Sequence, residues 1–137
     1  MTFFEPVYLW LDDERPAPSG WRWAKNFGNA KQLVHLSCQI PGRQFELRRL
    51  SFDHDLGGQV VEVMRQDGRL VRKEPSPLNG YHLAKDILEF VNLGMLPPFA
   101  WRVHSQNPVG VQNIKFVMAQ VEVLWAQQEW PDWPDVV

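Results

Sequence analysis

Three short polar clusters each close an apolar run: Leu11-Asp12-Asp13-Glu14-Arg15, Phe52-Asp53-His54-Asp55-Leu56-Gly57 and Val103-His104-Ser105-Gln106-Asn107-Pro108. Carboxylates and imidazoles hold divalent cations and move protons near neutral pH. If each apolar run is a buried parallel strand, the clusters meet at the carboxyl edge of one sheet, where open α/β folds bind ligands. Asp12, Asp13, Asp53 and Asp55 gathered there repel one another, so the edge calls for a neutralising cation or protons. An oxygen-rich set favours Mg²⁺, which also recruits phosphate oxygens. Entry of His54 or His104 into the set brings in Mn²⁺. Neighbours in an extended strand point to opposite faces, so Asp12 and Asp13 cannot both reach one ion, nor can Asp53 and His54. Asp12 or Asp13, with Asp53, are the first expected ligands.

His54 and His104 each follow a strand-end position and are the candidate acid and base beside Asp53. Ser105 has no nucleophile elbow around it, so its hydroxyl reads as a hydrogen-bond donor to phosphate or backbone. Asn107-Pro108-Val109-Gly110 starts a helix, where backbone amides such as that of Gly110 suit an anionic phosphate; capping explains Asn107 equally well. Arg15 either pairs with Asp13 or clamps a phosphate oxygen. His35 and His82 have no comparable neighbours and read as structural or solvated. Without a Walker loop, a Gly-x-Gly-x-x-Gly turn or a cysteine-rich zinc pattern, the edge reads as a phosphate-and-metal site.

Positioning such an edge requires alternating strands and helices. Val7 to Leu11 is continuously apolar, as in a strand covered on both faces. Trp21 to Lys25 alternates and follows too soon for an intervening helix, so an extended loop from Glu14 to Gly20 shortens the first crossover. Ala30, Leu33, Val34 and Cys38 follow helical spacing from Asn29 to Cys38. Phe45 to Phe52 predicts a strand leading to Asp53. Residues 59–77 interrupt the rhythm, and the turn signal Gln66-Asp67-Gly68 between two short apolar runs predicts an inserted hairpin. Its Arg65, Arg69, Arg72 and Lys73 either reach over the pocket or solubilise an edge. Asn79-Gly80 opens a helix that stops at Gly94; Phe99 to Val103 is the next strand, and a long helix follows Asn107-Pro108. The tail of residues 130–137, Trp-Pro-Asp twice over, is extended. Its tryptophans either pack back on the domain or contact a protein partner or a second copy.

The 137 residues fit one domain, and the formal charge of −2 gives no general attraction to nucleic-acid backbones. The single cysteine, Cys38, excludes an internal disulfide and reads as helix packing in a reducing cytoplasm. No signal-like start and no apolar run near the about 20 residues of a membrane span are present, so a cytoplasmic protein without membrane contact is expected.

Asp12-Asp13-Glu14-Arg15-Pro16, Ser51-Phe52-Asp53-His54-Asp55-Leu56-Gly57, Gly80, and His104 to Gly110 with Asn113 together resemble the cyclic-phosphate-processing receiver-like domain family. The likeness covers about residues 7 to 120. It implies an α/β, flavodoxin-like three-layer sandwich with a mainly parallel sheet. In an ordinary receiver the acidic pair binds Mg²⁺, the third-strand aspartate accepts phosphoryl, a fourth-strand serine contacts phosphate and a fifth-strand lysine completes the site. By motif position the first three roles fall on Asp12 with Asp13, Asp53, and Ser105. No lysine matches the fourth, because Lys115 lies in the last expected helix. The resemblance therefore implies a metal-dependent phosphoesterase of cyclic phosphates, such as nucleotide or RNA 2′,3′-cyclic phosphates, rather than a phosphorelay receiver. A noncatalytic sensor of such a ligand and a receiver-derived interaction module are the alternatives.

Overall fold

A computed structural model describes residues 4–56, 61–64, 66–73 and 78–130. Its elements are β1 (Glu5–Leu11), β2 (Arg22–Ala24), α1 (Phe27–His35), β3 (Phe45–Phe52), β4 (Val61–Met64), β5 (Leu70–Lys73), α2 (Gly80–Asn92), β6 (Ala100–Val103) and α3 (Pro108–Ala126). Four strands form an all-parallel sheet in the order β2-β1-β3-β6. This is a receiver-like α/β architecture. The expected inserted hairpin is present as antiparallel β4 and β5, and Gly68 takes the positive φ of 83° that its turn requires.

Val7, Leu9 and Leu11 of β1 point to one face of the sheet, joined there by Leu47, Leu50 and Phe52 of β3. Leu47 and Leu50 are three apart and could not share a face in a regular strand. A bulge solves this: Val7 pairs with Leu47 but Tyr8 with Arg49, so Arg48 is the extra residue and the register shifts by one. Ala30, Leu33 and Val34 of α1, Leu83, Ala84, Ile87 and Val91 of α2, and Ile114, Val117, Met118 and Val121 of α3 complete this core. Cys38, just beyond α1, is buried with its thiol directed to Val34 O, and burial pushes that thiol up to about 11. Trp130 donates its indole N–H to Trp125 O and packs on the core, so the first tail tryptophan folds back. Trp133 and the rest of the tail lie outside the described residues, as do Arg65 and the side chains of Arg72 and Lys73.

Where three layers are expected, the described helices form a single layer on one face of the sheet. Crossover handedness explains this. The steps β2-α1-β3 and β3-α2-β6 run the same way across the sheet, so right-handed connections put both helices on the same face. Only β1 to β2 runs the other way, and a helix there would cover the opposite face. Pro16 and Pro18 make that connection a loop. Tyr8, Trp10, Ser51 and Arg102 therefore occupy a face that no described helix covers.

Candidate metal and phosphate site

Strands β1, β3 and β6 are each followed by one polar residue whose amide still bonds to a neighbouring strand, β2 in the case of Asp12. The Asp12 amide donates to Ala24 O at 3.1 Å, the Asp53 amide to Leu11 O at 2.9 Å, and the His104 amide to Phe52 O at 2.9 Å. Asp12, Asp53 and His104 thus stand side by side at the carboxyl edge, and one ligand atom from each lies within 4.8 Å of the others. The two-residue period places them on the face that carries Trp10, Ser51 and Arg102.

Asp12 is 1% exposed. Its Oδ1 accepts the amides of Glu14 and Arg15, each at 2.8 Å, and Oδ2 accepts from His104 Nε2 at 3.0 Å. Burial alone would raise this carboxyl, but the Arg15 and Glu14 amides and His104 outweigh it and leave it below its usual range. His104 shifts down as well: burial disfavours the imidazolium more than Asp12 favours it, and Arg15 and Arg102 add repulsion. The balance favours the neutral imidazole. Its Nδ1 lies 2.6 Å from Ser51 Oγ, which also accepts Arg102 Nε–H at 3.2 Å. Donor and acceptor counting assigns the chain Arg102 to Ser51 to His104 Nδ1, with His104 Nε2–H donating to Asp12. The ring stacks flat on Trp10, centroids 3.9 Å apart and planes 5° from parallel. Trp10 Nε1 donates in turn to Arg15 O and Trp23 Nε1 to Asp12 O, tying the loop after β1 to the sheet.

Asp53 is a charge only partly compensated. Burial raises it, Asp12 and Asp13 repel it, and the hydroxyl of Ser105 and the Asp55 amide offset only part. A hard cation relieves that repulsion, and two carboxylate oxygens with one imidazole are a donor set that suits Mg²⁺ or Mn²⁺. Asp13 is raised by burial and by Glu14, Asp12 and Asp55, and it lies outside the convergent trio. Asp55 is also outside it. Its Oδ1 bonds His54 Nδ1 at 2.8 Å and accepts Asn107 Nδ2 at 3.3 Å, and the His54 bond draws its carboxyl down. Of the four expected metal ligands, Asp12 and Asp53 lie in the convergent group, whose third member is His104; Asp13 and Asp55 lie outside it.

Gly110 is not a free amide donor: its N–H is committed to the Asn107 Oδ1 cap at 3.0 Å. The missing side chain matters instead, because a Cβ on Gly110 would stand 2.3 Å from the His54 ring. Gly80 does the same for the backbone, where a Cβ would lie 2.0 Å from Asp53 O while the Gly80 amide donates to His54 O. The Asp53-His54 turn is thus wedged between the first turns of α2 and α3. Ser105 Oγ accepts the Asn107 amide at 3.1 Å besides bonding Asp53. Arg15 pairs with Asp12 (3.9 Å) rather than Asp13, and its guanidinium donates to His104 O at 3.3 Å from a half-exposed position. Trp10, Ser51, Trp23 and Arg102 were not among the expected site residues. Stepping back two residues from Asp12, Asp53 and His104 reaches three of them, since that step keeps the face.

A family model for the cyclic-phosphate processing receiver domain matches residues 7–120. The chain belongs to this family. The match takes in most of β1, all of β2, β3 and β6, and the site residues just described. Comparison with curated proteins and with solved structures matched nothing. As a receiver, the chain keeps the acidic pair and Asp53, while Lys115 stands exposed on α3. Among the described residues, no helix is long and apolar enough to cross a membrane.

Proposed function

We propose that this protein is a metal-dependent phosphoesterase acting on cyclic phosphate esters, of the nucleotide or RNA-end 2′,3′-cyclic class. The convergence of Asp12, Asp53 and His104 at the edge of a cyclic-phosphate processing receiver domain carries this reading. Bound there, a divalent cation would polarise the phosphate and offset its charge. The half-exposed Arg15 guanidinium, steadied on His104 O, is placed to take a non-bridging oxygen.

The two histidines have different duties. Both nitrogens of His104 are engaged, Nδ1 by Ser51 and Nε2 by Asp12, and its ring is stacked, so it supports the site and would hold a cation only by exchanging its Asp12 bond for the ion. Among the described residues His54 is held at Nδ1, by Asp55 and by the nearby Asn107 side-chain amide, which leaves Nε2 as the proton acceptor. In the hydrolytic step a water oxygen bonds to phosphorus while one ring P–O bond breaks. His54 takes the water proton and returns it to the departing oxygen, so the imidazole ends neutral. Asp53 bonds Ser105 and would hold the cation, which favours this route over direct attack by its carboxylate.

The test is incubation of purified protein with 2′,3′-cyclic and 3′,5′-cyclic nucleotides and cyclic-ended RNA, with Mg²⁺, Mn²⁺ or chelator. Ring opening that needs the cation, and is lost in Asp53→Asn and His54→Ala, is the expected result. Binding without turnover in every condition would leave the sensor reading in its place.

A further inference from the structure

Helix α3 is apolar on two sides. Ile114, Val117, Met118, Val121 and Trp125 are buried in the core. On the outer side Val109, Phe116 and Val123 are 69%, 70% and 56% exposed, at seven-residue spacing. Gln112 and Ala119 fall between them, Ala126 follows, and all three are exposed too. Alternating steps of three and four residues are the repeat of a two-helix seam. A surface helix with one partner layer keeps its outer side polar, and this one does not.

We propose that the outer seam of α3 is the interface of an antiparallel homodimer, each α3 lying against its copy across a two-fold axis. Antiparallel pairing gives the layers Val109 with Ala126, Gln112 with Val123, and Phe116 with Ala119, each formed twice by symmetry. Every large apolar side chain then faces an alanine or the slender stem of Gln112. Parallel pairing would stack Phe116 on Phe116 and Ala119 on Ala119, alternating crowded layers with voids. Charge points the same way. Antiparallel helices bring Lys115 beside Glu122 of the second copy, twice, along one flank. The other flank carries only the amides of Asn113, Gln120 and Gln127. Glu122 is already oriented on that first flank by accepting Trp101 Nε1 at 2.9 Å, and a carboxylate has a second oxygen for lysine. A single helix pair lies near or below the ~1,200 Å² lower edge of stable interfaces, so the dimer forms reversibly with concentration.

Sedimentation velocity across a wide concentration range tests this with the full chain. The mass is expected to move from one chain to two. Phe116→Glu, on a side chain 70% exposed, should raise the dissociation constant roughly 30-fold or more, the size of a hot-spot loss, and leave the thermal melt unchanged at concentrations where wild type is monomeric. Lys115→Glu should weaken the dimer, and Lys115→Glu with Glu122→Lys should recover it. A monomer at all concentrations, a dimer indifferent to Phe116→Glu, or a double swap that fails to recover would each overturn the proposal.

Discussion

Asp53 bears an unfavourable charge at the edge, through burial and then the repulsion of Asp12 and Asp13. A carboxyl raised in the fold destabilises the folded state once ionised, as pH rises through its unfolded value. In chelator at neutral pH, Asp53→Asn should therefore melt above wild type, and Mg²⁺ should raise the wild-type melting temperature while leaving the variant where it was. Calorimetric melts with and without cation check this, and a destabilised variant would contradict the repulsion. His104 has the opposite consequence. Burial holds its folded value below the ordinary imidazole range, so the unfolded chain binds the proton first and stability falls on acidification through that range. Lower down, loss of the Asp12 carboxylate adds to this and protonation of Asp53 and Asp13 offsets it. His104→Gln should flatten the pH dependence of cation-free melts between neutrality and about pH 5. The polar clusters announced these residues, but Ser51, reading as one more strand residue, announced nothing. Its role exists only because β3 lies beside β6, bringing Oγ within 2.6 Å of an imidazole 53 positions away.

At the scale of elements, the caps were legible and the bulge was not. Asn79 accepts the Tyr81 and His82 amides, and His82 Nδ1 accepts the Asn79 amide in return, a reciprocal box that accounts for His82. Asn79→Ala should cost about 1 kcal/mol in urea unfolding. Asn107→Ala should cost a similar ~1 kcal/mol and also lower turnover, since Asn107 Nδ2 steadies Asp55 behind His54. The clearances are stricter. Gly110→Ala should cost roughly 1–3 kcal/mol and displace His54, and Gly80→Ala should cost at least as much because backbone, not side chain, is in the way. Urea melts separate the two costs, and activity under folded conditions reports the displacement of His54. A sequence reading suggests Gly110 for phosphate contact since helix starts bind anions; the cap had already claimed its amide.

For the whole molecule, the direction of one crossover matters most. A proline-bearing loop in place of a helix between β1 and β2 leaves a sheet face to aromatic and arginine side chains. Those residues become the support of the site: Trp10 under His104, and Arg102 lying over Trp10 and Trp21 while bonding Ser51. Trp10→Ala should therefore weaken cation binding without touching a ligand, which titration calorimetry with Mn²⁺ would show as lower affinity in a folded protein. Affinity equal to wild type would mean that His104 is oriented by Ser51 and Asp12 alone.

Sequence alone determined the elements, their order and the residues with chemistry to offer, because apolar periodicity, turn residues and caps act over a few neighbours. The hairpin turn at Gly68, the starts of α2 and α3 and the meeting of three strand ends all follow from such local signals. Tertiary structure alone decided which members of the clusters share an ion site, which histidine stays free, and which face of the sheet goes without helices. These depend on strand register, on a bulge that shifts it by one residue, and on crossover handedness. All three relate residues far apart in the chain, and no local pattern encodes them.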